Sequence, residues 1–162
     1  MARDDYDIRV TPSLLDRLID QDPRSSRDVS PSRAESVREL RRAVQRDLES
    51  LLNARNPFPD LSTAFAEAGQ SVLTYGLPDF TSRTVGNAAD QNDLRQLIES
   101  AIRVFEPRLT GVTASLLPDS QTERSLCLRI DARLVMDPAP EPVSFDVIMP
   151  MQTLKCEVKE AP

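Results

Sequence analysis

The chain has 162 residues, close to the ~150 expected of one compact domain. Forty per cent of them (40%) are hydrophobic, enough for a core and too few for a membrane protein. It carries 20 basic against 26 acidic residues, a net charge of -6, which disfavours non-specific nucleic-acid binding because every phosphate contact needs a cation. Histidine is absent, so Ser-His-Asp triads, Cys-His pairs, imidazole bases and His-ligated zinc are excluded.

The rest of the inventory narrows the field. Cys127 and Cys156 have no CxxC spacing, which argues against a structural zinc or a thioredoxin-like site. The glycines Gly69, Gly76, Gly86 and Gly111 make no phosphate-cradling loop. No apolar run approaches the ~18 residues of a spanning helix, and the acidic Met1–Asp7 lacks the apolar stretch of a signal peptide. A cytoplasmic protein without direct membrane insertion is expected, and no cofactor, metal ligand or catalytic residue is predicted. Lys155 and Lys159 are the only lysines. Arginine forks suit carboxylate pairing at interfaces, though a GC-rich coding sequence gives the same bias.

Residues 1–10 are polar without periodicity and read as a mobile arm. Thr11-Pro12 reads as an N-cap with proline at the first helical position, opening a short docking helix over 11–22 with Leu14, Leu15, Leu18 and Ile19 on one face. The polar run from Asp20 to Ser32 contains a linker, residues 23–32, and residues 33–162 form one domain. Ser32-Arg33-Ala34-Glu35 has capping-box spacing. It opens a helix whose stripe is Val37, Leu40, Val44, Leu48 and Leu51, with Arg38, Arg41, Arg42 and Arg46 on the remaining surface. Those arginines read as a solvated face mixed with Glu39, Asp47 and Glu49, or as a surface for a negatively charged partner. Asn56-Pro57-Phe58-Pro59 ends the helix.

Ser71 to Gly76 reads as one or two helical turns closed by a glycine C-cap. A further helix spans about Asp90 to Phe105, with Leu94, Leu97, Ile98, Ala101, Ile102 and Phe105 inward and Glu99–Arg103 as an outer (i, i+4) pair. Pro107 stops it. The hydrophobic period then changes from 3.6 to 2. Val112, Ala114 and Leu116 alternate with polar residues, then Leu126 to Leu134, then Val143, Phe145, Val147 and Met149, with Leu154, Cys156 and Val158 closing the chain. The fold class is therefore α+β: N-terminal helices followed by a small antiparallel β-meander with an edge open for strand addition. Cys127 and Cys156 fall on opposite phases, which argues against a disulfide.

Ile102 to Leu109 contains a Glu106-Pro107-Arg108 triplet between helix and strand. Proline fixes the exit from the helix and holds the flanking carboxylate and guanidinium at a defined angle, either for a partner or as a local ion pair. Alone the triplet says little. It occurs in order with Pro12-Ser13-Leu14-Leu15-Asp16-Arg17-Leu18, Leu73-Thr74-Tyr75-Gly76-Leu77-Pro78-Asp79 and Glu141-Pro142-Val143-Ser144-Phe145-Asp146. Over roughly residues 11–159 the chain thereby resembles the TssE family of type VI secretion baseplate subunits, similar to the sheath-initiating baseplate protein of contractile phages. Pro150, between Met149 and Met151, departs from the smooth turn expected before the last strand.

The resemblance implies a structural subunit at an inner-membrane-associated baseplate that templates the contractile sheath. Its implied partners are the wedge subunits TssF, TssG and TssK, the sheath subunits TssB and TssC, and the spike hub VgrG. Glu106, Pro107 and Arg108 are the implied wedge contact. The sheath contact is expected by strand addition at Val143, Phe145, Val147, Leu154, Cys156 and Val158. Leu14, Leu15 and Leu18 form a further docking element. The same scaffold in a phage tail or injection particle is the first alternative. A glycan hydrolase is another, because the family has been labelled lysozyme-like; it would pair Glu106 with Asp79, Asp131 or Asp146. The absence of tryptophan and an aromatic content of 4% weigh against it.

Overall fold

The computed structural model describes residues 13–18, 33–61, 65–79, 87–117, 125–137, 139–150 and 155–161. The helices are α1 (Leu14–Leu18), α2 (Arg33–Asn53) and α3 (Ala88–Phe105). Four strands follow: β1 (Leu109–Leu116), β2 (Ser125–Leu134), β3 (Glu141–Pro150) and β4 (Glu157–Glu160). They pair antiparallel in the order β1-β2-β3-β4, the open meander expected from the change of period. The predicted arm, the linker and Leu154 lie outside the described residues.

Alternation makes the sheet one-sided. Leu126, Leu128, Ile130, Ala132 and Leu134 of β2 and Val143, Phe145, Val147 and Met149 of β3 all point into the core. Arg129, Asp131, Ser144 and Asp146 take the other face, where Arg129 grips Asp146 at 2.8 and 3.0 Å and Ser144 Oγ donates to Asp131 at 2.6 Å. A bulge between Thr110 and Thr113 resets the register of β1, with Gly111 at its corner at φ 62°.

Two helices cover the apolar face. From α2 come Leu40, Val44, Leu48, Leu51 and Leu52; from α3 come Leu94, Ile98 and Ile102. Burying a leucine fully is worth about 1.5–3 kcal/mol, so this contact dominates the cohesion of the domain. Cys156 joins the same core, while Cys127 lies on the opposite sheet face; both are free thiols.

Several local expectations are corrected. Glu99 does not pair outward with Arg103. It lies 3.5 Å from Arg95 and accepts the Ala114 N–H of β1 at 2.9 Å. The α2 arginines are not uniformly solvated either: Arg41 holds Glu141 and Glu160 at 2.7 Å each, clipping α2 to β3 and β4. Helix α1 is capped by Ser13, whose Oγ accepts from the Asp16 N–H at 3.2 Å while the Asp16 carboxylate accepts from Ser13. Thr11 and Pro12 lie outside the described residues.

Candidate protein–protein interface

Helix α3 ends because Pro107 cannot continue it. Glu106 is its C-cap, donating its N–H to Ile102 O at 2.8 Å, and the turn closes through Leu109 N–H to Glu106 O at 3.1 Å. On the far side, the Val135 N–H donates to Arg108 O at 2.8 Å, pinning the corner to the end of β2. Of the two readings of the triplet, the geometry displays the local ion pair. Glu106 is only 4% exposed and both its oxygens accept from Arg108, Oε1 from Nε at 2.5 Å and Oε2 from Nη2 at 2.6 Å. Pro107 is exposed and Arg108 half-buried.

Arg108 is also held from α2. Its Nη2 donates to Asp47 Oδ2 at 2.6 Å, and Asp47 Oδ1 accepts from Arg46 at 2.9 and 3.0 Å. Arg46 then reaches Asp16 of α1 at 2.8 Å. The outcome is a continuous relay: Glu106, Arg108, Asp47, Arg46, Asp16, Ser13. Charge-assisted bonds of this kind are the strong ones, and those nearest Glu106 are the most shielded from water. The hydrogen bond from Arg108 to Glu106, reinforced by Asp47, raises the affinity of Arg108 for its proton despite burial. Arg46 is raised likewise, first by Asp16 and then by Asp47. Burial pushes the Asp16 carboxyl upward, but the hydrogen bonds from Ser13 and Arg46 outweigh it and leave its pKa lowered.

One atom of the network is left over. Among the described residues, Arg108 Nη1 is a buried donor without a hydrogen-bond partner. Arg108 borders a pocket of about 320 Å³ bounded by Ser13, Leu15 of α1, Asp47 and Leu51 of α2, Tyr75, Phe105 and the rest of the corner. Tyr75 and Phe105 meet edge-to-face with centroids 5.3 Å apart. Burial, then the negative charges of Asp47 and Glu106, raise the Tyr75 hydroxyl pKa, as expected of a phenol beside the relay.

Tyr75 is fixed by its neighbours. Gly76 adopts φ 105°, and a Cβ there would lie 2.5 Å from Ala54 O, so the strap passes α2 only with glycine at this position. Leu77 donates to Ala54 O at 3.0 Å and accepts from Asn56 N–H at 2.9 Å, and its side chain is fully buried. Three of the sequence segments that carry the family resemblance thus converge on one pocket, with Leu15 from the first, Tyr75 from the second and Glu106-Pro107-Arg108 from the third. The fourth, around Glu141, does not reach it; its Glu141 meets Arg41 on another side of α2. Leu14 and Leu18 flank Leu15 on α1 and are 78% and 81% exposed.

The predicted strand-addition residues are distributed differently. Val143, Phe145 and Val147 are core side chains on β3, which is paired on both sides and offers no edge over the stretch facing β4. Cys156 and Val158 lie beside or on the β4 edge, but their side chains also face the core. Nor is this edge bare. Gln45 donates to Val158 O at 2.7 Å, Glu49 accepts from Val158 N–H at 3.4 Å, and Asn53 both donates to Cys156 O at 2.9 Å and accepts from its N–H at 2.8 Å. These three residues, spaced by four along α2, imitate a neighbouring strand. Sequence reasoning missed the ladder because nothing local marks it, and it set the N-cap of α1 at Thr11 although Ser13 and Asp16, three apart, carry the capping spacing that the structure uses.

Among the carboxylates considered for hydrolysis, Glu106 has both oxygens occupied by Arg108, Asp146 is paired with Arg129, and Asp131 accepts from Ser144. Groups committed in this way are poorly placed to exchange protons with a substrate. No cluster of three or more potential metal ligands occurs among the described residues. None of the described helices is long and apolar enough to cross a membrane. Compared with protein-family models, residues 38–139 match the model of baseplate wedge protein gp25. A search of curated proteins finds no match for the chain.

Proposed function

The chain belongs to the baseplate wedge protein gp25 family, and we propose that it serves as a type VI secretion baseplate subunit of the TssE kind within it. The role is structural: it joins the wedge subunits TssF, TssG and TssK to the sheath subunits TssB and TssC, beside the spike hub VgrG, and templates sheath polymerisation. The observation that carries this reading is the convergence of Leu15, Tyr75 and Glu106-Pro107-Arg108 on one pocket. In it, Glu106 positions Arg108, and the half-buried Arg108 side chain with exposed Pro107 forms the wedge contact. An arginine fork held on one side by carboxylates keeps its geometry when the partner arrives, so little side-chain entropy is lost on docking.

Sheath subunits add strands at the sheet edge. At β4 that requires the side chains of Gln45, Glu49 and Asn53 to give way to a backbone offering the same donors and acceptors. The committed carboxylates favour a scaffold over a glycan hydrolase. The early Ser13-Leu14-Leu15-Asp16-Arg17-Leu18 favours the type VI apparatus over a phage tail.

The test is co-purification of tagged protein with co-expressed wedge and sheath subunits, wild type beside Arg108→Lys. Lysine keeps the charge next to Glu106 but lacks the fork. Retention of both partners by the wild type, and selective loss of the wedge by a folded Arg108→Lys, is the expected result. Failure of the wild type to retain either partner would remove the proposal.

A further inference from the structure

The ladder along β4 forms part of a groove of about 800 Å³ lined by Arg42, Gln45, Arg46, Glu49, Ser50, Asn53, Arg55 and Lys155. Among the described residues its lining holds four cations and one carboxylate, a balance of +3 on a chain whose net charge is -6. Positive charge is gathered here against the overall sign of the protein. Arg46 is turned toward Asp16 and Asp47, whereas Arg42 and Lys155 are exposed along the groove. From Arg42 to Asn53 the α2 wall runs about 16 Å, the length of about five extended residues.

We propose that this groove docks an acidic, extended segment of a partner protein, held by Arg42 and Lys155. The backbone groups of Cys156 and Val158 that border the groove are already bonded to Asn53, Gln45 and Glu49. The segment is therefore read through its carboxylates, two or three of them spaced to meet the cations. A nucleic acid fits less well, because among the described residues no aromatic side chain lines the groove for base stacking, and Glu49 repels phosphate. The inference stands on charge and shape alone and does not depend on the wedge contact at Arg108.

Fluorescence anisotropy of a labelled oligoglutamate peptide against the full chain tests it, with oligoglutamine and oligothymidylate as comparisons. Salt-sensitive binding of oligoglutamate is expected. Arg42→Glu combined with Lys155→Glu should weaken it at least about tenfold. Arg133→Glu, on the opposite sheet face, should leave it unchanged, and circular dichroism confirms that both variants are folded. Three outcomes overturn the proposal: no binding above that of oligoglutamine, equal loss in Arg133→Glu, or tighter binding of oligothymidylate through Arg42 and Lys155.

Discussion

Arg108 reaches Asp47, 61 positions earlier in the chain, with Nη2 and Oδ2 2.6 Å apart. That one bond joins the exit of α3 to the middle of α2, and through Arg46 to α1. The corner that reads in sequence as a presented charge is therefore also a structural clamp. Its outward part is Pro107; its inward part is Glu106 together with the buried Arg108 Nη1.

This division predicts unequal mutants. Arg108→Asp removes both donors from buried Glu106 and adds a third carboxylate beside Glu106 and Asp47. Stripping the partner from a buried charge costs about 3–5 kcal/mol, a large share of the ~5–15 kcal/mol that holds a domain together. Urea titration should show Arg108→Asp strongly destabilised, and Glu106→Gln with Arg108→Gln, which removes both charges, much less so. Equal stability of Arg108→Asp and wild type would mean that the ion pair carries no structural weight.

Acid should release α1 before it unfolds the domain. The Asp16 carboxyl has a lowered folded pKa, so its contribution is present above its unfolded value near ~4 and lost as pH falls through the folded value. The amide resonances of Ser13 and Leu15 should therefore shift in an acid titration at pH values where those of Leu48 and Ile130 still report a folded core. Arg46→Gln should produce the same detached α1 at neutral pH. Identical spectra for Arg46→Gln and wild type would show that the Asp16 contact does not hold the helix.

What the sequence displays of this fold follows from whether a signal is local. The alternation of Leu126 to Leu134 and of Val143 to Met149 marks a sheet with one buried face, and short connections leave a meander as the simplest order. The leucine stripe of α2 is legible for the same reason. For Glu99 the (i, i+4) spacing offers Arg95 as well as Arg103, and the carboxylate turns to the Arg95 side because the Ala114 amide of β1, invisible to a helix read alone, is its second partner. Arg41 looked solvated because Glu141 and Glu160 lie 100 and 119 positions away. At the candidate site, the order of the matching segments was visible, but that Glu106 faces inward depends on Asp47 and Tyr75 arriving from elsewhere.

The two thiols should separate cleanly. Burial is the main cause raising the Cys156 pKa to about 11, with the Arg55 charge opposing it weakly. An unfolded thiol titrates near ~8.5. The thiol form of Cys156 is thus retained at neutral pH, and its stabilising contribution is full below about 8.5 and lost as pH rises from there through about 11. Iodoacetamide at about pH 8 should modify half-buried Cys127 in the native protein and reach Cys156 only after urea is added. Mass spectrometry of the peptides distinguishes the sites, and rapid native labelling of Cys156 would mean that the β4 region opens readily.

The α2–β4 ladder makes the last prediction. Asn53 is the one member that satisfies both backbone groups of a residue, accepting from the Cys156 N–H and donating to its C=O. Asn53→Ala leaves those groups bare beside a buried side chain, at a cost of about 1–3 kcal/mol. Asn53→Asp keeps the acceptor for the N–H and loses the donor to the C=O, so it should fall between the two. An uncovered edge is also a template for pairing with another chain. Asn53→Ala should accordingly sediment with a concentration-dependent dimer that the wild type lacks, while Gln45→Ala, which removes a single bond, should not. If Asn53→Ala stays monomeric and as stable as the wild type, water replaces the ladder without loss, and α2 does not guard the edge on which strand addition would draw.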